Sequence, residues 1–367
     1  MGLFSQKKTQ SFVGVDLGVS GIKVVQLMNE QGRARLVTYG FLDYPAAPTD
    51  RNYQQQVTLA AESLKKIVAK ARVTTKVSVA ALPISSVFSS IISVPSNNEK
   101  ELQEAIHWQA KKLIPLPLEE IALDAKPLDP APAKSPERAP SSPTTDAKKQ
   151  VRRVLLTGAP NALVNAYVQI LGGAGLEPLA LETEAFAQIR ALVGHDRSTV
   201  LVLDVGAFRT NLTVVEKGVP FLSRSIATGG VAMTQQLAKT LGLPYAQAET
   251  MKKDIASLKK FAPAGDLTPM LQSLLKPILD ELKYSFNLYQ GQPDFSGQPR
   301  RIEKVILTGG SSLLPHFPEF LTETLNVNSY VGDPWARVVY PEDLRPILED
   351  IGPRFSVAVG CAMRDIE

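Results

Sequence analysis

Two aspartates close apolar runs with a glycine two residues further on: Asp16 and Gly18 in VGVDLGVSGIKVV (13 to 25), and Asp204 and Gly206 in LVLDVGAFRTNLTVV (201 to 215). A second apolar run follows each at once, which reads as strand, tight turn, strand. Glycine in such a turn lets backbone N–H groups approach a phosphate with no side chain between. Aspartate at the strand end can hold waters on Mg²⁺. One such hairpin is an ordinary turn. Two in matching contexts, one in each half of the chain, point to a duplicated fold that clamps a triphosphate.

A third element, VILTGGSSLLP (305 to 315), is a strand running into Gly309, Gly310 and Ser311 ahead of a helix, an arrangement in which backbone N–H groups and a helix start meet a ligand. It is not a P-loop, because G-x-x-x-x-G-K-[ST] is missing, and no G-x-G-x-x-G follows a first strand. His107, His195 and His316 are scattered with no metal-ligand spacing, and no G-x-S-x-G marks a nucleophile. The residue types therefore favour binding a nucleotide over covalent catalysis.

Those motifs need elements to hold them. The chain has 367 residues, 44% hydrophobic and 21% charged, with a formal charge of +4, enough for two or three cores and too little charge for a sequence-independent grip on nucleic acid. A single cysteine, Cys361, excludes an intramolecular disulfide. No apolar run reaches the ~18 residues that span a bilayer, and MGLFSQKKTQ has neither a signal-peptide core nor, with Gln6, a myristoylation pattern. A cytoplasmic location is expected.

Periodicity predicts an amphipathic helix over 56 to 71 and strands over 76 to 82 and 86 to 94. A helix in EKELQEAIHWQAKKLI follows, stopped by Pro115 and Pro117. Residues 126 to 150 hold six prolines and almost no large apolar side chains, and are expected to be a disordered loop between two short strands. The second half alternates strand and helix up to STVLVLDVGA. A hairpin follows, then helices at about 231 to 241, 245 to 260 and 268 to 289, the strand IEKVILTGG and a closing helix through SVAVGCAMR. Strands alternating with helices place the chain in the α/β class.

In this order the three glycine motifs resemble the phosphate 1, phosphate 2 and adenosine motifs of the actin-like ATPase superfamily. The resemblance implies a bilobal actin-like fold with ATP or ADP and Mg²⁺ between two duplicated mixed-sheet lobes, and a small α+β subdomain inserted in the first. It implies a first-lobe core of 1 to 71 and about 181 to 207, an inserted subdomain of about 72 to 180, and a second lobe of about 200 to 367 whose last helix packs back on the first. Gly229 and Gly230 resemble the family's glycine pair before a helix. AETMK places Glu249 and Lys252 on one helix face, where relatives hold the ribose and adenine. The implied nucleotide set is completed by Val19, Ser20, Gly21 and Lys23 in the first hairpin and Ala207 in the second, with Asp16 and Asp204 meeting Mg²⁺ through water.

Within the superfamily, VPSNNEKELQEAIHWQAKKLIPLPLEEIALDAKPL (94 to 128), a helix with a central Trp followed by an I-P-x-P-x-E-E turn and a strand, resembles the PilM family of type IV pilus assembly proteins, itself similar to the cell-division protein FtsA. That resemblance implies a scaffold at the cytoplasmic face of the inner membrane. Its expected partner is the N-terminal cytoplasmic segment of a PilN-like bitopic membrane protein, bound beside the inserted subdomain. Self-association and contact with other assembly components, including a motor, stay open. The family's usual Ser-Ser-Ser or Gly-Ser-Ser after the first Asp-x-Gly is here Val19-Ser20-Gly21, and the second motif has Phe208-Arg209 where small residues are common, so hydrolysis is expected to be slow at most. A small-molecule kinase of the superfamily is the alternative. An FtsA-like tether is disfavoured, because no amphipathic helix stands at AMRDIE.

Overall fold

The computed structural model describes residues 10–44, 53–95, 99–128, 151–261, 265–293 and 297–366. The chain divides into two compact units, Met1–Ser85 with Ala166–Glu367, and Ser86–Asn165.

In the larger unit β1 (Ser11–Gly18), β2 (Gly21–Glu30) and β3 (Arg33–Asp43) form an antiparallel meander, and α1 (Tyr53–Lys70) crosses to β4 (Val77–Leu82). Nearly every residue of β1 and β2 up to Leu27 is buried, which is why they read as continuous apolar runs without alternation. α1 lies against β3, where Thr38 Oγ1 donates to the Ala71 carbonyl at 2.7 Å.

Strand β4 runs parallel to β1. It accepts β8 (Glu177–Thr183), which follows α3 (Asn161–Gly173), as its parallel neighbour. A two-residue strand, β14 (Val338–Val339), completes a sheet of order β14-β3-β2-β1-β4-β8.

The second sheet repeats this plan. β9 (Val200–Val205), β10 (Thr210–Glu216) and β11 (Val219–Ile226) form the meander, and β12 (Lys304–Thr308) and β13 (Asn328–Val331) add in parallel, giving β11-β10-β9-β12-β13. Its core joins Leu201, Leu203 and Val205 to α5 (Gly230–Leu241) and α8 (Thr268–Gln290). The expected single helix over 245 to 260 is two, α6 (Tyr245–Lys252) and α7 (Ile255–Phe261). Asp254 breaks it, because its carboxylate accepts from the Ala256 and Ser257 amides and caps the second piece.

After α9 (Phe317–Leu325) and α10 (Arg345–Ile351) the last helix, α11 (Ser356–Met363), is buried on every side. It packs on β1 and on α4 (Glu184–Gln188). A Cβ at Gly14 would strike the Ala358 carbonyl and one at Gly360 the Ala187 carbonyl, so glycines permit both approaches. Cys361 is buried there.

The smaller unit is a three-stranded antiparallel sheet of order β5-β7-β6: β5 (Phe88–Pro95), β7 (Val151–Pro160) and β6 (Ile121–Pro127). α2 (Glu99–Leu113) covers one face, with Leu102, Ile106, Ala110 and Ile114 packed on Ile92, Val94, Val154 and Leu156. Trp108 points away from this core and is exposed, with the Lys112 ammonium 4.1 Å from its ring centre.

This unit is narrower than the expected 72 to 180, because β4 and β8 are committed to the sheet around β1. The expected loop also begins too early. Lys126 and Pro127 belong to β6, paired with Leu155 and Val154. The rest of that prediction, residues 129–150, and the readings of the first nine residues lie outside the described residues.

Candidate functional site

The first hairpin pairs Asp16 with Lys23 and Gly18 with Gly21. Lys23 Nζ stands 3.2 Å from Asp16 Oδ2, and both side chains are buried. A Cβ on Gly18 would lie 3.0 Å from that ammonium, so the glycine makes room for the ion pair. Val19 is exposed at the tip, and the Ser20 carbonyl accepts the Tyr44 amide at 2.9 Å.

In the second hairpin Asp204 stands opposite Asn211, and the Gly206 amide closes the turn on the Arg209 carbonyl at 2.9 Å. The glycine pair docks here. The Gly230 amide donates to the Gly206 carbonyl and the Val231 amide to the Ala207 carbonyl, both at 2.9 Å. A Cβ on Gly229 would lie 2.5 Å from the first of these oxygens and 2.7 Å from the second.

The third motif meets the same point. Thr308 is in register with Asp204, and Gly309 follows at φ +83°, where a Cβ would strike Asp204 Oδ1 and lie 2.6 Å from the Val205 carbonyl. Ser311 Oγ donates to the Gly206 carbonyl at 3.3 Å. Gly310 is exposed beside the Arg354 side chain. Gly206, Gly229, Gly230 and Gly309 therefore bring three chain segments within backbone contact around the end of β9. What their missing side chains would meet is protein.

Glu249 and Lys252 share a face of α6 as the spacing predicts. Lys252 Nζ lies 2.8 Å from Glu249 Oε2, 2.7 Å from Thr234 Oγ1 and 2.9 Å from the Gly230 carbonyl. An ammonium has three protons, and all three are used within the protein. Burial lowers the pKa of Lys252, opposed by Glu249. Glu249 Oε1 meets only the exposed Lys253, at 3.3 Å, among the described contacts.

Two functional groups were not picked out from the sequence. Glu184 opens α4, and its Oε2 accepts from the Ile84 amide at 3.0 Å and Asn211 Nδ2 at 3.1 Å. Burial, reinforced by the charges of Asp204 and Asp16, pushes its carboxyl up to about 8. Gln188, one turn later, donates through Nε2 to Asp204 Oδ2 at 2.6 Å. Burial raises Asp204 to about 6, with the Gln188 bond opposing and the Asp16 charge adding. The available signal was a Glu and a Gln four apart on the helix leading into the second motif.

Asp16, which is buried, and Glu184 and Asp204, which are half-buried, thus lie within electrostatic reach of one another with Lys23 as the cation facing them. Among the described residues no three His, Cys, Asp or Glu side chains are placed to hold a metal directly. His107, His195 and His316 are exposed. An acidic group beside these turns fits a polyanion that brings its own divalent cation, with the carboxylates acting through water.

The model of the type IV pilus assembly protein PilM family matches residues 14–366. Among solved structures the chain is similar to the PilM-PilN type IV pilus biogenesis complex, at 26% identity and a TM-score of 0.77 over 97% of this chain and 98% of that one. It shares the fold of the ethanolamine utilization protein EutJ from Carboxydothermus hydrogenoformans, at 18% identity and a TM-score of 0.52, over 96% of this chain and 89% of that one. It also shares that of MreB5 of Spiroplasma citri, solved bound to ADP, at 13% identity and a TM-score of 0.50, over 96% and 94% of the two chains. The cell division protein FtsA of Neisseria meningitidis serogroup B (strain ATCC BAA-335 / MC58) is 24% identical over 56% of this chain, and the match spans about half, 52%, of that relative's length. No helix among the described residues is long and apolar enough to cross a membrane. With the family model matched over nearly its whole length, this chain belongs to the type IV pilus assembly protein PilM family.

Proposed function

We propose that the chain is a nucleotide-binding scaffold of type IV pilus assembly. ATP or ADP lies against Gly18, Ser20 and Gly21 of the first hairpin, Gly206 and Ala207 of the second, and Gly229, Gly230, Gly309 and Gly310. On this reading Glu249 accepts from a ribose hydroxyl through Oε1, while Lys252 holds the glycine pair. Asp16 and Asp204 face Mg²⁺ through water. Bound Mg²⁺ supplies the positive charge that offsets both the phosphates and these carboxylates. The convergence of three glycine segments at the end of β9, beside Asp204, is the observation that carries this reading.

The nucleotide acts on this reading as a conformational ligand more than as a fuel. Glu184 is the group best placed for acid/base work, and in the nucleotide-free protein burial pushes its carboxyl up to about 8, above the range of an ordinary carboxylate base. The partner is a PilN-like bitopic protein, taken through its cytoplasmic N-terminal segment, which brings the chain to the inner membrane. The 26% identity to the chain of the PilM-PilN complex, over almost the full length of both, supports it.

The test is a pull-down of the full chain on a synthetic N-terminal peptide of the PilN-like protein, against a scrambled peptide. Saturable retention at micromolar concentration, about 8 kcal/mol, is expected. Equal retention on both peptides would contradict the partner assignment.

A further inference from the structure

Asp16 and Asp204 are treated differently by the protein. Asp16 is paired with an ammonium, the Lys23 Nζ at 3.2 Å. Asp204 receives a neutral amide, the Gln188 Nε2 at 2.6 Å, from a side chain that is 1% exposed. A cation would hold the carboxylate and cancel its charge. An amide holds it and leaves the charge in place.

The rest of the setting is consistent with an aimed carboxylate. Gln188 takes Oδ2, and Oδ1 is the oxygen that a side chain at position 309 would strike, so Asp204 is held between α4 and the third glycine motif. Glu184, one turn before Gln188, has its own amide partner in Asn211, the residue opposite Asp204 on β10. Each of these half-buried carboxyls therefore has an amide donor of its own. The helix changes to π geometry over Ile189–Val193, directly after Gln188, and such insertions are rare and concentrate at functional sites.

We infer that Gln188 is a positioning residue that aims Asp204 at a nucleotide-bound divalent cation while leaving it ionised, and that Asp204, not the neutralised Asp16, supplies most of the metal dependence of binding. The inference rests on the nucleotide reading above. Gln188 touches neither nucleotide nor metal, so its effect appears only where the cation contributes.

The test is calorimetric titration of ADP into the full-length protein, with Mg²⁺ and with EDTA, for the wild type, Gln188→Met and Gln188→Asn. Met keeps the volume and removes the donor, whereas Asn keeps the amide and stops one methylene short of Asp204. Each variant should lose about tenfold in affinity for MgADP, the scale of one hydrogen bond to a charged group. Each should stay within about twofold of the wild type for ADP in EDTA. Thermal melting of the nucleotide-free variants identifies any that fails to fold, and the other then decides. Equal losses with and without Mg²⁺, or no loss, overturn the inference. Wild-type protein that binds ADP equally in both conditions also overturns it and leaves the nucleotide reading standing. Wild-type protein that binds in neither overturns both.

Discussion

The ammonium of Lys252 donates to the carbonyl of Gly230 at 2.9 Å, so α6, three elements beyond the second hairpin, fixes the turn that closes on it. Replacing it removes a donor from the Gly230 carbonyl, the Thr234 hydroxyl and Glu249 Oε2, and leaves the single Thr234 hydroxyl proton to be shared between that carbonyl and that carboxylate. Lys252→Met should lower stability by about 1 to 3 kcal/mol and weaken ATP and 2′-deoxy-ATP by the same factor. Melting curves and paired titrations measure this. A loss confined to the ribose-bearing nucleotide would instead make Lys252 a ribose contact.

Gly309 and Gly32 provide a matched pair for backbone strain. Both have φ near +85°, but a Cβ at Gly32 meets nothing within 4 Å whereas one at Gly309 strikes Asp204. Gly32→Ala should cost only the left-handed penalty, about 1 kcal/mol. Gly309→Ala should cost roughly twice that or more and displace the Asp204 carboxylate. The damage from a larger residue there comes through Asp204, and not through filling the approach to adenosine. Urea unfolding of the two variants should separate them, and equal losses would show that Asp204 yields freely.

Glu184 gives the nucleotide-free protein a pH-dependent stability. Its carboxyl titrates near 8 when folded and near 4.5 when unfolded, and Asp204 near 6 against 3.8. A raised acid pKa means that the folded state binds the proton more tightly. The contribution is complete below the unfolded values and is lost as pH rises through the folded ones. Between about pH 6 and 8 only Glu184 remains protonated in the fold and deprotonated in the unfolded chain, a slope of ~1.4 kcal/mol per pH unit. Unfolding free energy should fall over that range, and Glu184→Gln should flatten the fall. Parallel profiles for both proteins would remove Glu184 as its source.

What could be read in advance was local. The strand-turn-strand pattern around Asp16 and Asp204 depends on neighbours within a dozen residues, and both hairpins form there. The strand ahead of Gly309 and the shared face of Glu249 and Lys252 are equally short-range. Glu184 and Gln188 escaped notice because a short amphipathic helix carries polar residues as a matter of course, and only the fold shows that Gln188 donates to Asp204 and that Glu184 accepts from Asn211, the residue opposite Asp204. The bounds of the smaller unit were misjudged for a similar reason. Val77 pairs with Glu177 across a hundred residues, and no local pattern announces that β4 and β8 are sheet neighbours. Lys252 shows the reverse case, a residue placed correctly on its helix whose donors turn out to be spent inside the protein.

Hydrolysis should be slow. Phosphate release from saturating MgATP is expected below roughly 1 per second, the lower edge of ordinary enzymes. Turnover well above that, lost in Glu184→Gln, would make the chain a working ATPase.

Membrane recruitment should depend on the partner. Expressed alone, the chain should remain in the supernatant after high-speed centrifugation, and co-expression with the PilN-like protein should move it to the membrane fraction. Equal pelleting in both cases would point to direct lipid binding.

The central claim is that the glycine turns and Asp204 together bind a Mg²⁺-nucleotide. Calorimetric titration of MgATP into the wild type and Asp204→Asn tests it most directly, because the substitution keeps the shape of the side chain and removes its charge. Saturable one-to-one binding by the wild type, weakened about tenfold or more by the variant, is predicted. No binding by the wild type, or the same affinity in both proteins, would contradict the account.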